Sequence, residues 1–170
     1  MGGTPKTALP SQDRAASLSI NYDMYSKFPE ILLIEDDPGD IELTRKALNK
    51  AKLGINLHVV MDGTQALAYL YREGEYADSQ QPDLILLDLN LPGMNGQEIL
   101  QHIKGDDNLK QIPVVMLTTS DAQEDIVKSY DLGANCYLKK PISLKEFDNI
   151  IEALENFWFS VVKLPPPETS

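Results

Sequence analysis

The sequence predicts a doubly wound α/β domain, a parallel sheet of five strands with helices on both faces. Three observations carry this. From Ile31 onward, short apolar runs alternate with stretches whose apolar residues recur at helical spacing. The run LILL at residues 84–87 is uninterrupted, as a strand covered on both faces requires. Each of the five strand-like runs is followed by a helix-like stretch, so the crossovers lay helices on both sides of the sheet. With 42% hydrophobic and 24% charged residues in 170, the chain can fill one core, and a single domain is expected.

The elements follow in order. ILLI at 31–34 is the first strand, after which Asp37 reads as an N-cap and Pro38 as the first helical residue. The helix is expected to run to about residue 53, with Ile41, Leu48 and Ala51 as its apolar stripe. LHVV at 57–60 is a second strand, and its His58 suits an edge. Asp62-Gly63 turns into a short helix over Ala66, Leu67 and Leu70, with Gly74 as the expected C-terminal cap. LILL at 84–87 is the third strand, ended by Asp88. A loop to Asn95-Gly96 opens a helix with Ile99, Leu100 and Ile103, and VVML at 114–117 is the fourth strand. Ser120 with Gln123 resembles a capping box for the next helix, which Gly133 closes, and CYL at 136–138 is the fifth strand. Past Lys140-Pro141, Ser143 and Glu146 form a second capping box for a last helix bearing Phe147, Ile150, Ile151, Leu154, Phe157 and Trp158. The flanks are rich in Pro, Ser, Thr and Gly. Residues 1–28 are therefore expected to be a flexible extension, 29–162 the folded domain and 163–170 a flexible tail.

Charge and composition exclude several functions. With 15 Lys+Arg against 26 Asp+Glu the net charge is −11, which opposes direct contact with nucleic acid or an anionic membrane. No apolar run is long enough for a signal core or a membrane span, so a cytoplasmic protein is expected. The single cysteine, Cys136, forms neither an internal disulfide nor a thiolate metal site and reads as a core residue. His58 and His102 lack ligand-spaced companions, and no Walker or dinucleotide loop is present.

In a sheet of this type, chemistry collects outside the carboxyl ends of the strands. Here those ends are polar: Glu35-Asp36-Asp37, Asp88, Thr118-Thr119 and Lys139-Lys140. Taken singly, each has an ordinary explanation as a cap, a solvated acid or a loop start. Together they crowd carboxylates that repel one another unless a cation sits among them. Hard oxygen donors without His or Cys point to Mg²⁺, and a lysine and a hydroxyl beside it suit a phosphoryl group.

Four segments, ILLIEDD, LILLDLNLPGMNG, PVVMLTTS and GANCYLKKP, make the chain resemble the receiver domain of two-component response regulators from about Ile31 to Phe159. LENFWFSVVKLP and YREGEYADSQQPDLILLDLNLP make it similar to the small single-domain cyanobacterial regulators that partner phytochrome-type histidine kinases. The resemblance implies a flavodoxin-like (βα)5 sheet in strand order 2-1-3-4-5. It implies that Asp88 accepts a phosphoryl group, that Glu35, Asp36, Asp88 and the backbone carbonyl of Asn90 hold Mg²⁺, and that Thr118 and Lys140 meet the phosphoryl oxygens. Lys139 is the competing choice, but the family's lysine directly precedes proline, and alternation sends Lys139 to the other face. The Lys140-Pro141 bond is implied to be cis. Thr118 and Tyr137 would be the switch pair, biasing a surface of the fourth helix, fifth strand and fifth helix. Thr119 stands where many relatives carry alanine or glycine, a difference expected to alter the phosphoryl lifetime.

The implied protein is a stand-alone receiver and not an enzyme beyond its own phosphotransfer and autodephosphorylation. Its partners would be a sensor histidine kinase and an unknown downstream protein. Phe157, Trp158 and Phe159 add more apolar surface than one helical stripe hides, and a homodimer through them is expected. Two alternatives differ in class. A haloacid-dehalogenase-like phosphatase also uses a strand-end Asp, a Thr and a Lys with Mg²⁺, but has a catalytic acid where this chain has Asn90. The other is a receiver-shaped dimerisation module that is never phosphorylated.

Overall fold

A computed structural model of the chain describes residues 28–50, 54–119, 128, 130–134, 136–140, 143, 145–146, 148–150 and 152. Five parallel strands form one sheet: β1 (Glu30–Ile34), β2 (Asn56–Val60), β3 (Leu84–Asp88), β4 (Val114–Thr118) and β5 (Cys136–Lys139), in the order β2-β1-β3-β4-β5. That is the order the resemblance implied. Every residue of β1, β3 and β4 is buried, whereas β2 and β5 are partly open, so the uninterrupted apolar runs occupy the centre and the His58 strand an edge.

Alternation along the strands sorts the core into two layers. Leu32, Ile34, Ile85, Leu87, Val114 and Met116 pack under helices α2 (Gly63–Leu70) and α3 (Gly96–Gly105), through Ala66, Tyr69, Leu70, Ile99, Leu100 and Ile103. Ile31, Leu33, Leu84, Leu86, Val115 and Leu117 face Leu48 and Ile41 of helix α1 (Pro38–Asn49), and Ile150 near the end of the described chain.

The helix starts fall where capping chemistry puts them. Asp37, Asp62 and Asn95 are the N-caps of α1, α2 and α3, and each accepts the backbone N–H three residues on. Two helix ends differ from expectation. Helix α1 stops at Asn49, with Lys50 as its C-cap turning back to the Ala47 and Leu48 carbonyls, short of residue 53. Thr44 is buried beside Leu48 on its inner face, and Ala51 of the expected stripe lies outside the described residues. Helix α2 is closed not by Gly74 but by Arg72, which holds the left-handed conformation at φ 58°. The Glu73 N–H reaches the Ala68 carbonyl and the Arg72 N–H the Tyr69 carbonyl, the two bonds of a Schellman motif, so the cap forms two residues before the glycine. Gly74 instead begins a 3₁₀ turn, Gly74–Tyr76. Gly133 does close the helix before β5: at φ 101° its N–H donates to the Tyr130 carbonyl. The Ser120–Gln123 box lies outside the described residues, and in the second box the Glu146 N–H donates to Ser143 Oγ at 3.1 Å. Among the described residues no helix is long and apolar enough to cross a membrane.

Candidate functional site

The register that stacks the core also assembles the polar end of the sheet. Pairing of Ile34 with Leu87 and of Asp88 with Leu117 brings the ends of β1, β3 and β4 level. On the α1 side, the alternation Ile31, Leu33 continues to Glu35, and Leu84, Leu86 continues to Asp88. One residue past β5, the Lys140 N–H donates to the Thr118 carbonyl at 2.8 Å, holding the chain beside β4. By the same alternation Lys140 follows Leu138 onto the Glu35–Asp88 side, while Lys139 is exposed.

The Lys140 ammonium is the centre of the arrangement. It donates to Glu35 Oε1 at 2.6 Å and to Asp40 Oδ2 at 2.8 Å, and lies 3.4 Å from Asp88 Oδ1. Its side chain is only 10% exposed. Burial works against its charge, but the bonds to Asp40 and Glu35 and the charge of Asp88 outweigh that and hold the ammonium above the usual lysine range. Glu35 is fully buried, and its second oxygen accepts the Asp36 and Asp37 N–H groups. Burial, then the hydrogen bond and charge of Asp88, push the Glu35 carboxyl up to about 7, against the lowering by Lys140 and the Asp37 N–H. Two buried carboxylates in contact thus compete for one counter-charge.

The described residues include most of the sequence-predicted ones. Asp36 is half-buried beside Glu35, and ligand atoms of Glu35, Asp36 and Asp88 lie within 4.8 Å of one another. The Asn90 N–H donates to Asp88 Oδ1 at 3.2 Å, which draws the loop after β3 over the carboxylate. Gly96 makes that loop fit: a Cβ there would run into the Asp88 carbonyl, and the Gly96 N–H donates to the Leu89 carbonyl at 3.0 Å. Thr118 is fully buried at the end of β4, on the α2–α3 side with Met116. Tyr137, paired with Met116, packs half-buried on the same layer. Cys136 is half-buried against the other. His58 is bonded to Glu30 at the opposite end of the sheet, and His102 is exposed on α3. Pro141, Phe157, Trp158 and Phe159 lie outside the described residues.

One site residue escaped the sequence reading: Asp40. In EDDPGD it occupies the first turn of α1, where an acid is already explained by the helix dipole and by the Asp37 cap, so nothing marked it as a partner for a lysine 100 residues away.

The donor set fits a divalent ion of the Mg²⁺ type: three hard carboxylates, no soft ligand, and more negative charge than Lys140 offsets. Such a cation site around a buried lysine, at the carboxyl ends of a doubly wound parallel sheet, is the kind of site a signalling receiver carries.

The comparisons with known proteins agree. Residues 31–152 match the response regulator receiver domain family, and the chain belongs to that family. Among curated proteins it is similar to the response regulator Rcp1 of Synechocystis sp., 44% identical over 79% of this chain and 92% of Rcp1. Among solved structures it is similar to the phosphorylated cyanobacterial phytochrome response regulator RcpA, at 46% identity and a TM-score of 0.68 over 82% of this chain and 100% of that one. It is also similar to the Mn²⁺-bound form of Rcp1, at 43% identity and a TM-score of 0.66 over 81% and 99%. The chain is thus a two-component response regulator receiver with phytochrome-associated relatives, and not a dehalogenase-like phosphatase.

Proposed function

We propose that this chain takes a phosphoryl group from a phosphohistidine of a phytochrome-type sensor kinase onto Asp88 and passes the signal on through protein contacts. The observation that carries this is the Lys140 ammonium shared among Glu35, Asp40 and Asp88, groups brought together from three separate segments. An Asp88 carboxylate oxygen forms a bond to phosphorus as the P–N bond to the imidazole breaks, and the bonding pair leaves on the imidazole nitrogen. Lys140 and Thr118 supply a cation and a hydroxyl to the phosphoryl oxygens, and the rigid ends of β1, β3 and β4 align donor and acceptor. Glu35, Asp36, Asp88 and the Asn90 carbonyl would hold Mg²⁺, whose chemistry when bound is to neutralise charge on those oxygens. The new charge on Asp88 would draw buried Thr118 toward it, with Tyr137 following in the space beside Met116. Support for the kinase type comes from the similarity to the cyanobacterial phytochrome response regulator RcpA.

The test is intact mass after incubation with Mg²⁺ and acetyl phosphate or a phosphorylated kinase. Wild type should gain one labile phosphoryl group per chain and Asp88→Asn none; equal labelling of both would overturn the assignment. We also propose a homodimer through Phe157, Trp158 and Phe159, on the apolar content of that segment. Trp158→Ala should elute later than wild type on gel filtration, and identical elution at all concentrations would remove this contact.

A further inference from the structure

We infer that Asp40 is a positioning residue that holds the Lys140 ammonium away from Asp88 in the resting protein and so slows phosphoryl uptake. This rests on the phosphoacceptor reading of Asp88. The ammonium sits at charge-assisted hydrogen-bond distance from Glu35 (2.6 Å) and Asp40 (2.8 Å), but at 3.4 Å from Asp88 it is beyond that range. To meet an arriving phosphoryl group it must give up part of this pairing. Asp40 is not among the three carboxylates grouped to hold an ion, so an ion bound there would occupy Glu35 and leave the Asp40 bond in place. Nor is Asp40 a loose surface acid. Its backbone N–H is fixed by Asp37 Oδ1 at 3.0 Å in the first turn of α1, so the helix aims its carboxylate at β5. Its carboxylate also adds a negative charge beside Lys140, so competition for the ammonium and repulsion of an anionic donor act in the same direction.

The experiment follows the time course of phosphoryl uptake from acetyl phosphate with Mg²⁺ by intact mass, in wild type, Asp40→Asn and Asp40→Glu. In each, the Asp88 oxygen bonds to phosphorus as acetate departs with the electron pair of the broken P–O bond. Asp40→Asn should label about threefold to fivefold faster, the range set by one partly exposed ion pair. Asp40→Glu, which keeps the carboxylate, should return to the wild-type rate. A merely structural helix-start residue would lower the unfolding midpoint without accelerating uptake. If wild type labels and Asp40→Asn labels at the same rate or more slowly, or if Asp40→Glu is as fast as Asp40→Asn, the inference is overturned. If folded wild type does not label at all, the phosphoacceptor reading itself fails.

Discussion

Strand β1 begins with one buried glutamate, Glu30, and is followed directly by another, Glu35, and the two are handled in opposite ways. Glu30 at the amino end is 4% exposed and accepts hydrogen bonds from the Asn56 side chain and from His58 Nε2 at 2.8 Å, while its own N–H is taken by Asp83. Its carboxylate is satisfied by donors on both oxygens. Glu35 at the carboxyl end, 1% exposed, shares one lysine with Asp88 and Asp40. Burial alone therefore does not mark a functional acid. A satisfied carboxylate is a structural part, and a set of carboxylates short of counter-charge is a site that expects a cation.

The largest expected effect removes that counter-charge. Lys140→Met should cost about 3–5 kcal/mol of stability without divalent ions, the scale for deleting one partner of a buried pair, and Mg²⁺ should return part of it. Urea unfolding with and without MgCl₂ measures both, and an equal midpoint for variant and wild type would break the comparison. Next, Asp88→Asn should stabilise the metal-free protein by about 1–2 kcal/mol by removing a like charge, while abolishing labelling. Wild-type stability should also depend on pH. Because folded Glu35 keeps a proton that the unfolded chain gives up, its carboxyl rising from 4.5 to about 7, this contribution is complete below about 4.5 and is lost as the pH climbs through about 7. Asp88→Asn should flatten that slope. At the other end, Glu30→Leu should cost only about 1 kcal/mol, since exposed Asn56 and half-exposed His58 can turn to water, and should leave phosphoryl uptake unchanged.

Much of this difference was legible before any coordinates. Apolar continuity placed β3 inside and the polar His58 strand at an edge, because both depend on local periodicity that the sheet preserves, whereas Lys140 was preferred to Lys139 on the resemblance, whose lysine precedes proline. What escaped was long-range or locally ambiguous. Asp40 drew no reading because an acid in the first turn of a helix needs no further partner, and its own lies 100 residues on. Glu30 drew no reading from the sequence, because only the pairing of β1 with β2 supplies the Asn56 and His58 donors that let it be buried. The close of α2 was misplaced because a glycine is the stronger signal for a left-handed cap, yet the helix geometry needed it at Arg72.

The smallest expected effect tests how finely the carboxyl end is built. Thr119 follows β4 by one residue, and alternation puts it with Leu117 on the Asp88 side of the sheet, where it is exposed. An uncharged side chain there does not join the charge balance, so the expected effect is on water access to Asp88 and little else. Thr119→Ala should leave stability within about 0.5 kcal/mol and shorten the life of the acyl phosphate by about threefold or less, through readier attack of water on phosphorus. Loss of label from purified phosphorylated protein, followed by intact mass, gives the rate directly. An unchanged lifetime would mean that the approach to Asp88 is governed by the loop after β3, where Gly96 and the Asn90 N–H already fix the backbone over the carboxylate.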